Sequence, residues 1–170
     1  IAPPESDERV LGIRYILLHE LGHVLGADAG AHPPWGVVGE AQDIPLDQFP
    51  YLAISWERAP SGLVNRDGKT RPAKVRYYAG PDAKTPNEKL VSTYRWLETT
   101  SFPTLYATTS IYDDFAEAFA NFVHVVMLKS PYMIELVNAS GSLLRYESCW
   151  DQPRCAEKRE FLSHYLEVEE

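Results

Sequence analysis

Between Val10 and Leu25 the chain runs through Val10, Leu11, Ile13, Ile16, Leu17, Leu18, Leu21, Val24 and Leu25, and into this apolar run it sets His19, Glu20 and His23. The spacing predicts a helix. Ser6 is placed to cap it, Asp7 and Glu8 fall in the first turn where carboxylates suit the helix dipole, and Gly26 is a natural stop. Apolar residues lie nearly all the way round, the pattern of a helix buried on every side. Such a helix cannot carry two imidazoles and a carboxylate unless something satisfies them. No run of eighteen apolar residues occurs, so no transmembrane helix is expected.

His19 and His23 are four residues apart in His19-Glu20-Leu21-Gly22-His23 and project from one helix face about a turn apart. Two imidazoles so placed can bind one Zn2+ ion, and Glu20, to the side, can reach a metal-bound water and take its proton. The alternative is a pair of hydrogen-bonded core histidines. A zinc site needs a third protein ligand and an open fourth position. An extension with Gly and a further His three residues on fails here: Gly26 fits, but position 29 is Ala29, and His32 comes three residues late.

The better source is the segment Tyr112-Asp113-Asp114-Phe115-Ala116-Glu117-Ala118-Phe119, in a helix read from about Ser110 to Lys129. Asp113 and Glu117 share a face, with Phe115 and Phe119 opposite. One carboxylate can complete the metal site while its neighbour orients a ligand histidine. Asp113 also stands three residues after Ser110, and the alternative reading makes it only half of a capping box. His124 and His164 read as core, interface or surface histidines, and Asn121 as a residue near the site that nothing singles out.

Elsewhere the pattern is that of a helix-dominated α+β chain, with residues 1–170 forming a single domain. Residues 27–84, rich in Pro and Gly, read as loops with short strands: 73–79 alternates cleanly, Tyr51 to Trp56 less so, and Asp67-Gly68 marks a turn. Thr85, Pro86 and Glu88 open a second helix with its stripe at Leu90, Val91, Tyr94 and Leu97. Shorter helices are expected at about 131–138 and 154–167. Trp35, Trp56 and Tyr78 are candidates for a cleft wall.

The motif at 19–23, followed by Tyr106-Ala107-Thr108-Thr109-Ser110-Ile111-Tyr112-Asp113-Asp114-Phe115-Ala116-Glu117-Ala118-Phe119, resembles the gluzincin metallopeptidases, in particular the catalytic domain of anthrax lethal factor and the Mlc titration factor A family. The resemblance covers about twenty residues. It implies a zincin-like domain that hydrolyses peptide bonds, with His19, His23 and Asp113 holding Zn2+ and Glu20 as general base. It also implies an oxyanion role for Tyr106, which precedes Asp113 by seven residues as the family's tyrosine precedes its third ligand. The family carries Glu where this chain has the shorter Asp113, so Glu117 is the alternative ligand, and otherwise an acid beside the site. These peptidases also have a β-sheet before the first motif, whereas eighteen residues precede His19 here. The sheet is then small and built from residues 51–79, or supplied by a longer chain of which this is the C-terminal part, or missing. A non-catalytic zinc-containing binding or regulatory domain is the other reading of the same residues, although a structural site needs no base.

Lys plus Arg number 16 and Asp plus Glu 24, a net charge of −8. An acidic chain without a basic cluster is poorly suited to nucleic acid or to anionic membranes; the partner that the resemblance implies is a peptide or protein substrate. Part of that acidity, Glu20, Asp113, Asp114 and Glu117, falls in the two motif helices, where a divalent cation would offset it. Cys149 and Cys155, the chain's two cysteines, are spaced for a disulfide across a Pro-containing turn, which suggests an exported protein, periplasmic or secreted.

Overall fold

The computed structural model describes residues 8–35, 44–66, 87–138 and 141–168. Its order is α1 (Glu8–Leu25), α2 (Pro50–Ser55), β1 (Trp56–Ala59), β2 (Gly62–Asn65), α3 (Asn87–Leu97), α4 (Ile111–Phe122), β3 (Met133–Asn138), β4 (Gly141–Glu147) and α5 (Ala156–Tyr165). Among the described residues both sheets are antiparallel hairpins, β1 with β2 and β3 with β4. The fold is therefore α+β, with helices carrying the core and two small sheets beside them.

The central helix is α4. From Asp114 to Phe122 every residue is buried. Ser110 caps it by accepting from the Asp113 N–H at 3.0 Å. Helix α4 ends in a single wide turn, Val123–Met127, rather than running on as α-helix to Lys129.

Two polar groups fix α4 from behind. Asp114 is wholly buried and accepts from Trp56 Nε1 at 2.9 Å and from the Lys158 ammonium, itself wholly buried on α5. Lys158 also lies over the rings of Tyr51 and Phe102, 5.1 and 4.6 Å from their centroids. Burial raises the Asp114 pKa while the Lys158 charge pulls it back. The pair ties α4 to β1 and α5, because either charge alone would be left in an apolar interior.

Helix α1 corrects the expectation of burial on every side. It packs against α4 along the side bearing His19 and Gly22, with Leu18 turned to the core, while Gly26, just past its end, meets the His32 ring. Val10, Ile13, Ile16, Leu17, Leu21 and Val24 are exposed, Leu17 to 64% and Val24 to 74%. An all-round apolar pattern registers composition but not what covers each side, and among the described residues one side of α1 is covered.

Other elements also differ. Residues 50–55 are a short helix with Pro50 in its first turn, and the strand begins only at Trp56. Residues 133–138, expected as helix, form β3. Ile134 pairs with Tyr146 and Leu136 with Leu144, and burial alternates along the strand. The cross-strand partners in β4 decide the conformation, which local propensity could not. The final helix begins at Ala156, after a 3-10 turn over Pro153–Cys155. Helix α3 matches expectation from Asn87 on. Ser6, Asp67-Gly68, the 73–79 strand, Tyr78 and the Thr85-Pro86 start lie outside the described residues. Cys149 and Cys155 form a disulfide, with Cα atoms 5.8 Å apart.

Candidate metal centre

Helices α1 and α4 meet without an intervening side chain. A Cβ built on Gly22 would lie 2.7 Å from Ala116 Cα. Ala116 is flanked on its helix by Asp113 and Glu117. The close approach therefore brings both carboxylates to the face of α1 that carries His19 and His23.

The two Nε2 atoms of His19 and His23 are 3.0 Å apart. Asp113 Oδ1 stands 3.6 Å from His23 Nε2 and 4.0 Å from His19 Nε2. A tetrahedral ion with bonds of about 2.0–2.1 Å needs ligand atoms roughly 3.3–3.4 Å apart. The triangle spans that value, so His19, His23 and Asp113 can hold a metal ion. The donor set, two imidazole nitrogens and one carboxylate oxygen, suits zinc chemistry and leaves room for a fourth position.

Glu117 stands one shell out from this triangle. Its Oε1 lies 2.8 Å from His19 Nδ1, which donates to it. That bond fixes the tautomer whose Nε2 lone pair faces the triangle. Asp113 and Glu117 thus stand in different places, one among the candidate ligand atoms and one behind His19.

Glu117 is itself held. Thr104 Oγ1 donates to its Oε2 at 2.6 Å and Tyr15 OH at 3.3 Å. Burial, with the Glu117 charge beside it, pushes the Tyr15 phenol well above its ordinary pKa, so it remains a donor. Asn121 Nδ2 donates to Tyr15 OH, while Asn121 Oδ1 accepts from Ser148 and from Trp150 Nε1, each at 2.8 Å. A hydrogen-bonded chain therefore runs from the loop after β4 through Asn121 and Tyr15 to Glu117, which accepts from His19 on its other oxygen. Sequence reasoning missed Tyr15 and Thr104. Tyr15 sits four residues before His19 on the same helix, which was the available signal.

Asp113 is clamped on its far oxygen. Thr109 Oγ1 and Ser110 Oγ donate to Oδ2 at 2.8 and 2.7 Å, leaving Oδ1 toward the histidines. The capping role and the position beside the histidines are thus both realised in one residue.

Burial opposes a charge on His19, but the Glu117 carboxylate outweighs it and raises the pKa. On His23 burial prevails, the neighbouring His19 adds to it, and the pKa falls. His23 Nδ1 is buried without a partner among the described residues. An ion on Nε2 would leave the proton on that nitrogen.

Glu20 is exposed on the solvent side of α1, and its charge acts on both histidines. Tyr106, in the turn leading into α4, stacks on His19 with centroids 5.4 Å apart. Trp35 lies edge-on to His23 at 5.7 Å and stacks on Tyr112 at 4.4 Å. Trp56 lines the cavity behind Tyr112.

The remaining histidines stand apart. His32 turns Nδ1 to the Pro33 carbonyl at 2.9 Å and presses Nε2 against Gly26. His124 faces the Pro131 carbonyl and the Tyr15 ring, and His164 is exposed on α5.

Comparison with known proteins finds no match: no protein-family model, no curated protein and no solved structure matches the chain.

Proposed function

We propose that this chain is a zinc-dependent metallopeptidase of gluzincin type, with His19, His23 and Asp113 as zinc ligands in a zincin-like domain. One observation carries the reading: two imidazole nitrogens and a carboxylate oxygen converge, the first imidazole is oriented by a buried carboxylate, and a further carboxylate is left exposed next to the group. A purely structural site would have no use for that last feature.

Zinc, when bound, supplies a Lewis acid that polarises the peptide carbonyl and acidifies water. The protein's groups divide the remaining work. Glu20 accepts the proton of the attacking water and returns it to the leaving amine. The Tyr106 phenol, beside His19, donates a hydrogen bond to the charge that develops on the carbonyl oxygen. Glu117 keeps His19 in one tautomer and Thr109 and Ser110 keep Asp113 in one rotamer, so no ligand has to reorganise. No described helix is long and apolar enough to cross a membrane. The substrate of this reading is a peptide or protein. The Cys149–Cys155 disulfide supports an exported location.

The test is zinc content and peptide cleavage in three proteins. The wild type is expected to bind one zinc and cleave, His19→Ala to lose the zinc, and Glu20→Gln to keep zinc but lose cleavage by about 10²–10⁴-fold. Cleavage that survives Glu20→Gln with zinc retained would sink the mechanism. Stoichiometric zinc with no cleavage of any peptide would leave the non-catalytic reading instead.

A further inference from the structure

Trp150 dictates how the hydrogen bonds behind His19 are oriented. Its indole N–H can only donate, so the Asn121 atom that meets it at 2.8 Å is the carbonyl oxygen, and Ser148 Oγ donates to the same atom. The Asn121 amide nitrogen is thereby turned to the Tyr15 hydroxyl, which accepts from it and gives its own hydrogen to Glu117 Oε2. Glu117 Oε1 is left to accept from His19 Nδ1. Asn121 is wholly buried, so a partner lost at either end of its amide is not replaced by bulk water.

The loop that bears this donor is closed on itself. Cys149 and Cys155, both wholly buried, are joined across the segment from Trp150 to Arg154. Within this ring Arg154 sets Nη1 against the carbonyls of Leu97, Thr100 and Phe102, at 3.2, 2.9 and 3.0 Å. Those carbonyls belong to the segment that leads to Thr104, the other donor to Glu117 Oε2. Arg159 on α5 donates to the Trp150 carbonyl at 2.9 Å and holds the ring from outside. One covalent ring thus supports both donors on the carboxylate that orients His19.

We infer that Trp150 is a positioning residue for His19, acting through Asn121 and Tyr15, and that the Cys149–Cys155 disulfide sets the metal affinity of the centre by holding the indole N–H on Asn121. The inference rests on the reading of His19, His23 and Asp113 as metal ligands, and not on peptide cleavage. With the ring open, the loop regains backbone freedom that competes with the bond from Trp150 to Asn121. Asn121 then loses the donor that dictates which way its amide faces, and Tyr15 loses the partner that turns its hydrogen to Glu117. His19 is held less firmly in the tautomer that presents Nε2 to the triangle, and metal affinity falls. Opening the ring takes two electrons and two protons from a dithiol, which leaves as its own disulfide; closing it returns them to a disulfide oxidant. The oxidised chain therefore holds its metal more tightly than the reduced one.

Two measurements test this, neither of them catalytic. The first is zinc affinity, by competition with a chelating dye. The second is the 15N signature of the His19 tautomer in the metal-free chain, in mildly alkaline buffer. Trp150→Phe keeps a ring against Phe122, which the indole meets edge-on at 5.2 Å, and removes only the N–H. Cys149→Ala with Cys155→Ala opens the ring without leaving thiols that would themselves take zinc. Each is expected to weaken zinc binding by about 10-fold and to turn the single His19 tautomer into a mixture. Tyr15→Phe should do the same, and Trp150→Phe added to it should cost nothing further, because Trp150 acts through Tyr15. Losses that multiply would mean that Trp150 only packs, and would overturn the inference. So would wild-type affinity and an unchanged tautomer in either Trp150→Phe or the cysteine double variant. Should the double variant not fold, the metal-free wild type reduced with a dithiol gives the same reading from the His19 tautomer. A wild type that binds no zinc removes the metal centre and with it the inferred effect on affinity. Zinc binding that follows the disulfide with no peptide cleaved sinks the peptidase and leaves this coupling standing.

Discussion

Gly22 faces Ala116 so closely that a single added carbon would stand 2.7 Å from the Ala116 Cα. The atom in the way is backbone, and no rotamer change relieves the overlap. Gly22→Ala is therefore expected to push α1 and α4 apart and to cost about 1–3 kcal/mol. Because the same crossing brings Asp113 to His19 and His23, metal affinity should fall with stability. Thermal unfolding and competition with a chelating dye measure the two. Unchanged affinity in the variant would mean that the ligand atoms do not depend on the crossing.

Glu117→Gln tests the orientation of His19. The amide keeps an acceptor for His19 Nδ1 but removes the charge, and with it the foremost of the groups that raise the His19 pKa. Metal affinity is expected to drop by about 10–100-fold. Asp113→Asn should cost far more, because Asp113 is read as a direct ligand. Dye competition that ranks Glu117 above Asp113 would exchange their roles.

The pH dependence of the metal-free chain turns on His32. Its ring is wholly buried, Nδ1 donates to the Pro33 carbonyl, and Nε2 has no partner among the described residues. Burial accordingly holds its pKa below the ordinary 6.5. Above that value both folded and unfolded chains carry a neutral ring, and the full stability is present. As pH falls below it, the unfolded chain takes up a proton that the folded chain refuses, and stability is lost down through the folded pKa. His23 and His124, also lowered by burial, act in the same direction. His19, raised, acts oppositely: its contribution is present at low pH and fades as pH rises through its folded value. Denaturant midpoints of metal-free protein at pH 7.5 and 5.5 should fall on acidification. His32→Asn keeps a donor for Pro33 but cannot titrate, and should flatten that slope. A slope identical to wild type would remove His32 from the account.

What was legible in the sequence was what a helix imposes by itself. His19 and His23 share a face at four-residue spacing, Asp113 and Glu117 do likewise, and Ser110 announces the start of α4. The sequence leaves the division between the two acids open, since it depends on how two helices cross. Tyr15, Thr104 and Asn121 act on one another through space from three separate segments, and no local pattern joins them. The same limit explains the misread segment at 133–138. Its preference was settled by Tyr146 and Leu144 on the partner strand, which lie beyond the segment itself.

The side of α1 left uncovered among the described residues has a colloidal consequence. From Val10 to Val24 the exposed aliphatic residues extend along about 21 Å of helix. Contacts between copies along such a ridge are favourable, and what opposes them is like-charge repulsion from a surface at −8. That repulsion vanishes near pH 5.1 and is screened by salt. Purification thus meets two opposing requirements: acid or concentrated salt brings the ridges together, whereas dilute buffer well above pH 5.1 keeps the chains dispersed.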